Sequence, residues 1–456
     1  MKAKFTLLAL ALLLTLSAYA QHETQDSTVR YNQYGVAVNR TKLFPEERNG
    51  ILVLASKDED YKVWFDARVQ VDGAAFFGEN PDFDAIGNGV SIRRARFAMK
   101  GQVTPDWYAE VDLDFANGAF ELKDAYVKYS GLKNFNFQTG NFKETFSMEA
   151  TTTSRYLPFM ERPMVVSAFA PSRHIGLMAN YQKNWFLGFA GVYYQAVEDL
   201  EIRTNVEDNN KDFGRGPGYS YTAKFVAMPF YAKRDYGMHI GVAGSYRTPK
   251  SDMATSEYNG VRYSTRTGTS INRKKYLDTD VIKDVKQDVL AGAELAGYYK
   301  GLRVQGEYIN NWTYAENGNT YHFGGWYAHA GFLLFGGRQN YNAGEGEFTQ
   351  PRRGKDWGDI ELLVRYEYIN LNSLDIYGGS AQAYTVGLNY FVNNNVKLML
   401  NYQYNDQDRY ANGKGKLLTG YDAKGVPTKD FTKMVTPNGQ AGVDFHMISI
   451  RFELDF

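Results

Sequence analysis

The chain has 456 residues, with 51 basic and 51 acidic side chains and no cysteine. Without cysteine there is no disulfide framework, no thiolate metal site and no cysteine nucleophile. Balanced charge gives no global field to attract nucleic acid or other polyanions, so any charge selectivity must come from where individual charges sit.

Lys2 and Lys4 precede an apolar run from Phe5 to Leu16, and Ala18-Tyr19-Ala20 supplies an A-x-A cleavage site. Residues 1–20 therefore read as a cleaved secretory signal peptide. Beyond it, no run approaches the ~18–20 consecutive apolar residues that a spanning helix needs. A mature chain that enters a bilayer must then do so as a closed barrel, in which every backbone group finds an inter-strand partner. Residues 21–60 are polar and weakly periodic, and are expected to form an N-terminal periplasmic segment ahead of the barrel.

From Tyr61 onward, short alternating runs recur. A period of two puts alternate residues on opposite faces of a strand. The expected strands are 61–74, 90–100, 106–116, 120–130, 134–141, 174–181, 185–196, 219–227, 236–247, 288–299, 301–312, 322–333, 358–371, 381–391, 395–405 and 443–456. They predict a 16-stranded antiparallel transmembrane β-barrel whose even count leaves both ends periplasmic. A soluble β-sandwich would also alternate, but the export signal, the terminal Phe456 and the strand count together favour a barrel. On the last strand Ile448, Ile450, Phe452 and Leu454 share one face, and Met447, Ser449, Arg451 and Glu453 the other. The strand stops at Phe456, the mark by which the barrel-assembly machinery reads a closing strand.

Up-and-down assignment makes 101–105, 131–133, 182–184 and 392–395 short periplasmic turns, and 75–89, 142–173, 197–218, 248–287 and 406–442 long outer loops. Residues 334–357 fit badly. Parity makes them periplasmic, yet they are long, Gly-rich and partly basic.

Pores work by the diameter and charge of their narrowest part. Alternation puts Arg68, Arg94, Arg96 and Lys100 in the lumen, while Arg93 is due outward unless a bulge turns it in. Pairing with the wall carboxylates Glu110, Asp112 and Asp114 is an alternative use of these arginines. Loop 142–173 carries Arg155 and Arg162 beside Thr151-Thr152-Thr153-Ser154 and is expected to fold inward as a constriction. Guanidinium groups beside hydroxyls form fixed donors for an oxyanion without a metal. The six histidines show no metal-ligand spacing, and there is no G-x-S-x-G elbow or Walker loop, so neither an enzyme nor a cofactor is expected.

Ala67-Arg68-Val69-Gln70-Val71-Asp72, the Arg93–Arg96 run, Gly140-Asn141-Phe142-Lys143, Thr152-Thr153-Ser154-Arg155, Phe159-Met160-Glu161-Arg162 and Trp357-Gly358-Asp359-Ile360-Glu361 occur in this order. In them the chain resembles the phosphate-selective porin O/P family from about Tyr61 to Phe456. The resemblance implies a Gram-negative outer-membrane protein, surrounded by lipid and assembled as a homotrimer. It also implies an anion-binding constriction, with Arg68, Arg93 and Arg94 as wall contacts, Thr153 and Ser154 as hydroxyls, and Arg162 continuing a basic ladder. Two positions depart from the family pattern: Ala150 stands where a loop lysine is expected and Arg96 where a tyrosine is expected. The function expected is passive diffusion of small anions, with phosphate or polyphosphate as candidates. The alternative is a less selective, sugar-permeable pore.

Overall fold

Alternating residues form strands because one face meets hydrocarbon and the other meets water. In the computed structural model, sixteen such strands close into one antiparallel barrel. They are β1 (Tyr61–Phe77), β2 (Gly89–Val103), β3 (Trp107–Asp114), β4 (Glu121–Leu132), β5 (Phe135–Lys143), β6 (Arg173–Lys183), β7 (Phe186–Tyr193) and β8 (Ser220–Ala227). After these come β9 (Tyr236–Arg247), β10 (Val285–Tyr299), β11 (Leu302–Ala315), β12 (Thr320–Leu333), β13 (Asp359–Ser373), β14 (Ile376–Phe391), β15 (Val396–Asp408) and β16 (Phe445–Asp455). The structure describes residues 30–456 apart from 39–40, 79–85, 119, 195, 198–217, 232, 250–258, 267, 272–274, 409–419, 429, 434 and 436–443. The signal-peptide assignment, residues 1–20, lies outside the described residues.

Each strand pairs with its chain neighbour, and β16 pairs with β1 to shut the ring, Arg451 opposite Asp72 and Ile448 opposite Ala75. Phe456 adds a two-way backbone link to Ala67, donating at 2.9 Å and accepting in return. The alternation holds along the wall. On β15, Leu398, Leu400 and Tyr402 are exposed outward, while Lys397, Asn401 and Gln403 are buried inward. Near the long-loop end, outward aromatic rings run in contact from Trp326 through Tyr366, Tyr384, Tyr404 and His446 to Phe77, with centroids 5.0–6.4 Å apart. Amphipathic rings of this kind sit at the membrane–water interface.

The chain divides into two compact units, residues 1–43 and 44–456. In the first, Arg30–Tyr31 pairs with Ala37–Val38. In the second, Ile51–Ser56 pairs with β1, Val53 opposite Trp64.

Two features of the barrel answer points on which the alternation was ambiguous. Gln70 pairs with Arg94 but Val71 pairs with Ile92, so Arg93 is the extra residue of a β-bulge. A bulge re-aims a side chain without breaking the strand, and Arg93 points inward with Arg94. The long 334–357 segment does follow β12 at the short-turn end, as parity requires. It forms a hairpin, Arg338–Asn342 paired with Glu347–Arg352. Phe348 of that hairpin is buried with Met148 of the loop after β5 and Ala296 of β10, so the hairpin tip folds into the barrel.

Candidate functional site

The loop between β5 and β6 lies inside the barrel and contains two short helices, α1 (Met148–Thr151) and α2 (Met164–Phe169). Ser147 caps α1 by accepting the Ala150 N–H at 3.1 Å. The remaining free N–H groups are satisfied by the wall. Glu294 accepts from Met148 at 2.9 Å, Glu307 from Glu149 at 2.7 Å, and Glu367 from Met164 at 2.6 Å. Carboxylates at helix N-termini also gain from the positive end of the helix dipole. Phe146, Met164, Val165, Val166 and Phe169 bury themselves against Leu290, Ile309, Phe323 and Ile369 of β10–β13. One side of the loop is thereby fixed to the far wall, and its other side faces the arginines of β1 and β2.

Across that gap the structure brings the expected residues together in pairs. Arg68 donates to Ser154 Oγ at 2.6 Å and to Asp455 at 2.8 Å. Arg93 makes a bidentate bond to Glu161, with Nη2 3.0 Å from Oε2. Arg155 pairs with Asp66. Arg162 donates to the backbone oxygens of Glu149 and Thr152 at 2.8 and 2.7 Å, which leaves its charge without a bonded carboxylate. Arg94 is 3% exposed and donates to Gln70 at 2.6 Å, and its Nε has no hydrogen-bond partner. Arg96 bonds Asp114 at 3.0 Å and lies 3.5 Å from Asp112, which is the wall pairing held open as an alternative. Ala150, where the family pattern has lysine, is half-buried among the apolar contacts of the loop.

Two cavities flank the loop. The inner one, about 330 Å³, is lined by Arg68, Arg96, Lys100, Lys128, Lys143, Arg155 and Arg173, by Thr151 and Thr153, and by the carboxylates Asp66, Glu110, Asp112, Asp124 and Glu345. Seven cations thus face five carboxylates. The outer one, about 280 Å³, lies between this loop and residues 264–266, 268–270 and 275. Its lining holds Arg93, Arg162, Arg266 and Lys275 against the single carboxylate Glu161, with hydroxyls from Ser167, Ser264, Thr265, Thr269 and Ser270. Burial would raise the Glu161 carboxyl, but Arg93 bonded to it, with Arg94 and Arg451 behind, holds it well below the usual range. Burial lowers Arg162 to about 10, so it stays charged at neutral pH.

Sequence reasoning put Lys100 and Arg451 on the lumen face without assigning them to the constriction, passed over Lys128, and left Lys143 and Arg173, the cations where the loop leaves and rejoins the wall, out of the site. Their signal was present, because each occupies an inward phase or flanks the inward loop. Glu345 could not be found that way, since it reaches the lumen from the periplasmic hairpin. Glu110, Asp112 and Asp124 bring carboxylate oxygens within 4.8 Å of one another. Each already faces a cation: Lys100 at 3.7 Å, Arg96 at 3.5 Å and Arg173 at 2.6 Å. That arrangement is a compensated wall network.

Residues 63–424 match the family described as phosphate-selective porin O and P. The chain belongs to that family. Among curated proteins, the porin is 23% identical to Porin O of Pseudomonas aeruginosa over 449 residues, 90% of this chain and 95% of that one. It is also 26% identical to an uncharacterized protein of Caulobacter vibrioides over 322 residues, 70% of this chain. The match spans 63% of the Caulobacter protein's length. Among solved structures, an in-vitro folded OmpT, an outer-membrane protein of Vibrio cholerae, superposes with a TM-score of 0.50. That superposition is 13% identical and covers 87% of this chain and 98% of OmpT. Family and fold together make the protein an outer-membrane porin, a channel class rather than an enzyme class.

Proposed function

We propose that the porin conducts small inorganic anions, phosphate among them, through the two cavities in series. The observation that carries this reading is the outer cavity, where four cations and five hydroxyl side chains surround one carboxylate. An oxyanion entering there meets charge-assisted donors in place of its hydration shell. Arg94 lies beside Arg93 at the bulge, and Arg68, Arg96 and Arg155 line the next chamber. Several shallow sites suit conduction better than one deep site. Most arginines here already hold carboxylates, so an anion exchanges partners with the wall, which supports modest affinity. Lining by tyrosine, which a sugar slide would require, is limited to Tyr126 and Tyr156 in the inner cavity.

In planar bilayers under a KCl gradient, the zero-current potential is expected to show preference for chloride over potassium. A cation-selective channel would overturn the reading. Phosphate added to chloride solutions is expected to reduce chloride current only in the millimolar range. Block at micromolar phosphate would instead mean a dedicated high-affinity site.

We also propose a homotrimer. The outer aromatic belt, which still includes the exposed pair Phe115 and Phe120 beside β3 and β4, is interrupted over β5 and β6, where the outward residues are Thr139 and Leu177. A wall without a belt is suited to meet protein instead of lipid headgroups. Detergent-solubilised protein is expected to have the mass of three chains, and a single-chain mass would remove this proposal.

A further inference from the structure

The hairpin 338–352 brings two further carboxylates into the lumen from the periplasmic end. Glu345 lines the inner cavity 3.9 Å from Lys128 of β4. Glu347 is 8% exposed and faces Lys143 of β5 and Arg162 of the inward loop, next to Glu345 and within reach of the Thr153 backbone N–H. The hairpin is built to hold them there. Tyr341 joins its hydroxyl to His239 Nδ1, His239 Nε2 bonds Glu294 at 2.7 Å, and the other oxygen of Glu294 holds α1 through Met148. Gln339 ties the hairpin base to Gly301 O at 3.1 Å and to Glu361 at 2.8 Å. Hairpin and constriction loop therefore share one wall anchor, and their spacing is fixed.

We propose that Glu345 and Glu347 are specificity-determining residues, competing with the passing anion for Lys128 and Lys143 on the periplasmic side of the constriction. This rests on the anion-conducting role proposed above and adds an exit step to it. An anion near the two lysines is repelled by the carboxylates beside them, so its binding is weakened and its release to the periplasm is favoured. Without them, the same lysines would form a deep trap.

The two carboxylates also differ in their response to pH. Burial, with Glu345 nearby, pushes Glu347 up to about 7 against the pull of Lys143. Above neutrality Glu347 is charged and cancels one cation. As pH falls through about 7 it becomes neutral, the exit gains net positive charge, and anion preference rises.

The test uses full-length porin in planar bilayers, with Glu347→Gln, Glu345→Gln and the double variant. Correct assembly is checked first by heat-modifiable migration on gels. At pH 8 the chloride-to-potassium permeability ratio of Glu347→Gln is expected to exceed wild type by about threefold, from one unscreened charge at the lumen wall. The wild-type ratio is expected to rise as pH falls from 8 to 6, and that rise should vanish in Glu347→Gln. Half-block of chloride current should need severalfold less inorganic phosphate in the double variant. Assembled variants with wild-type ratios, block and pH profile would overturn the proposal. Because each readout is a difference between variant and wild type, it is distinct from the sign of wild-type selectivity that tests the anion-conducting role itself.

Discussion

Replacing Arg451 by methionine is expected to destabilise the barrel by about 3–5 kcal/mol, the usual loss when one partner of a buried ion pair is removed. The Arg451 and Asp72 side chains are both 0% exposed, and two guanidinium nitrogens bond the carboxylate at 2.7 Å each. The substitution leaves the Asp72 charge enclosed without its partner, on the seam where β16 closes onto β1. The third guanidinium nitrogen donates to Met160 O at 2.7 Å, so the constriction loop loses a tether as well. A lower midpoint for the heat-induced gel shift, together with noisier open-channel current, would register both losses. Arg451→Met combined with Asp72→Leu is expected to recover most of the stability, since an apolar pair of similar volume replaces a buried ion pair at little cost. Recovery of stability without recovery of quiet current would separate the seam from the tether.

Glu161→Gln is expected to have the largest effect on selectivity. Among the described residues this carboxylate is the only one lining the outer cavity; it bonds Arg93 and lies 3.5 Å from Arg451. Its replacement leaves the outer chamber with cations and hydroxyls alone. At a lumen wall, one charge a few ångströms from a passing anion is worth about 1–2 kcal/mol, so phosphate should block chloride current at roughly tenfold lower concentration. Glu161 is held well below the usual carboxylate range, so the effect should be the same at pH 6 and pH 8. That flat profile is opposite in character to the pH-dependent exit expected of Glu347. An unchanged phosphate block would remove the outer cavity from the conduction path.

The barrel was legible because its solvent imposes a two-residue rule on every strand. The expected run 61–74 is the strand Tyr61–Phe77, 174–181 is Arg173–Lys183, and all sixteen occur in the expected order. Most strands extend a few residues further because hydrogen bonding continues past the last clearly patterned pair, whereas 106–116, 185–196 and 443–456 shorten to Trp107–Asp114, Phe186–Tyr193 and Phe445–Asp455. The same rule could not by itself orient Arg93, since a bulge adds one residue to the count and depends on the partner strand. Nor could it fold residues 334–357. The segment lacks regular alternation, and its inward course depends on Tyr341, Gln339 and Phe348 finding partners on distant strands. For the site, residue types were legible and pairings were not. Inward phase brought Arg68 and Arg96 into the lumen, but which carboxylate neutralises each depends on register across strands, as in Arg96 opposite Asp114.

The seam at Arg451 also has a consequence for the order of assembly. The tether for the constriction loop comes from β16, the last strand to be made, although the loop itself lies near the start of the barrel. Until β16 docks on β1, Met160 and Glu161 lack this contact, and Arg68 lacks Asp455. An unfinished ring would therefore hold the loop at the far wall without its tether at the seam. The inward loop gains its last tether in the same event that makes the wall continuous, so closing the ring and fixing the loop coincide.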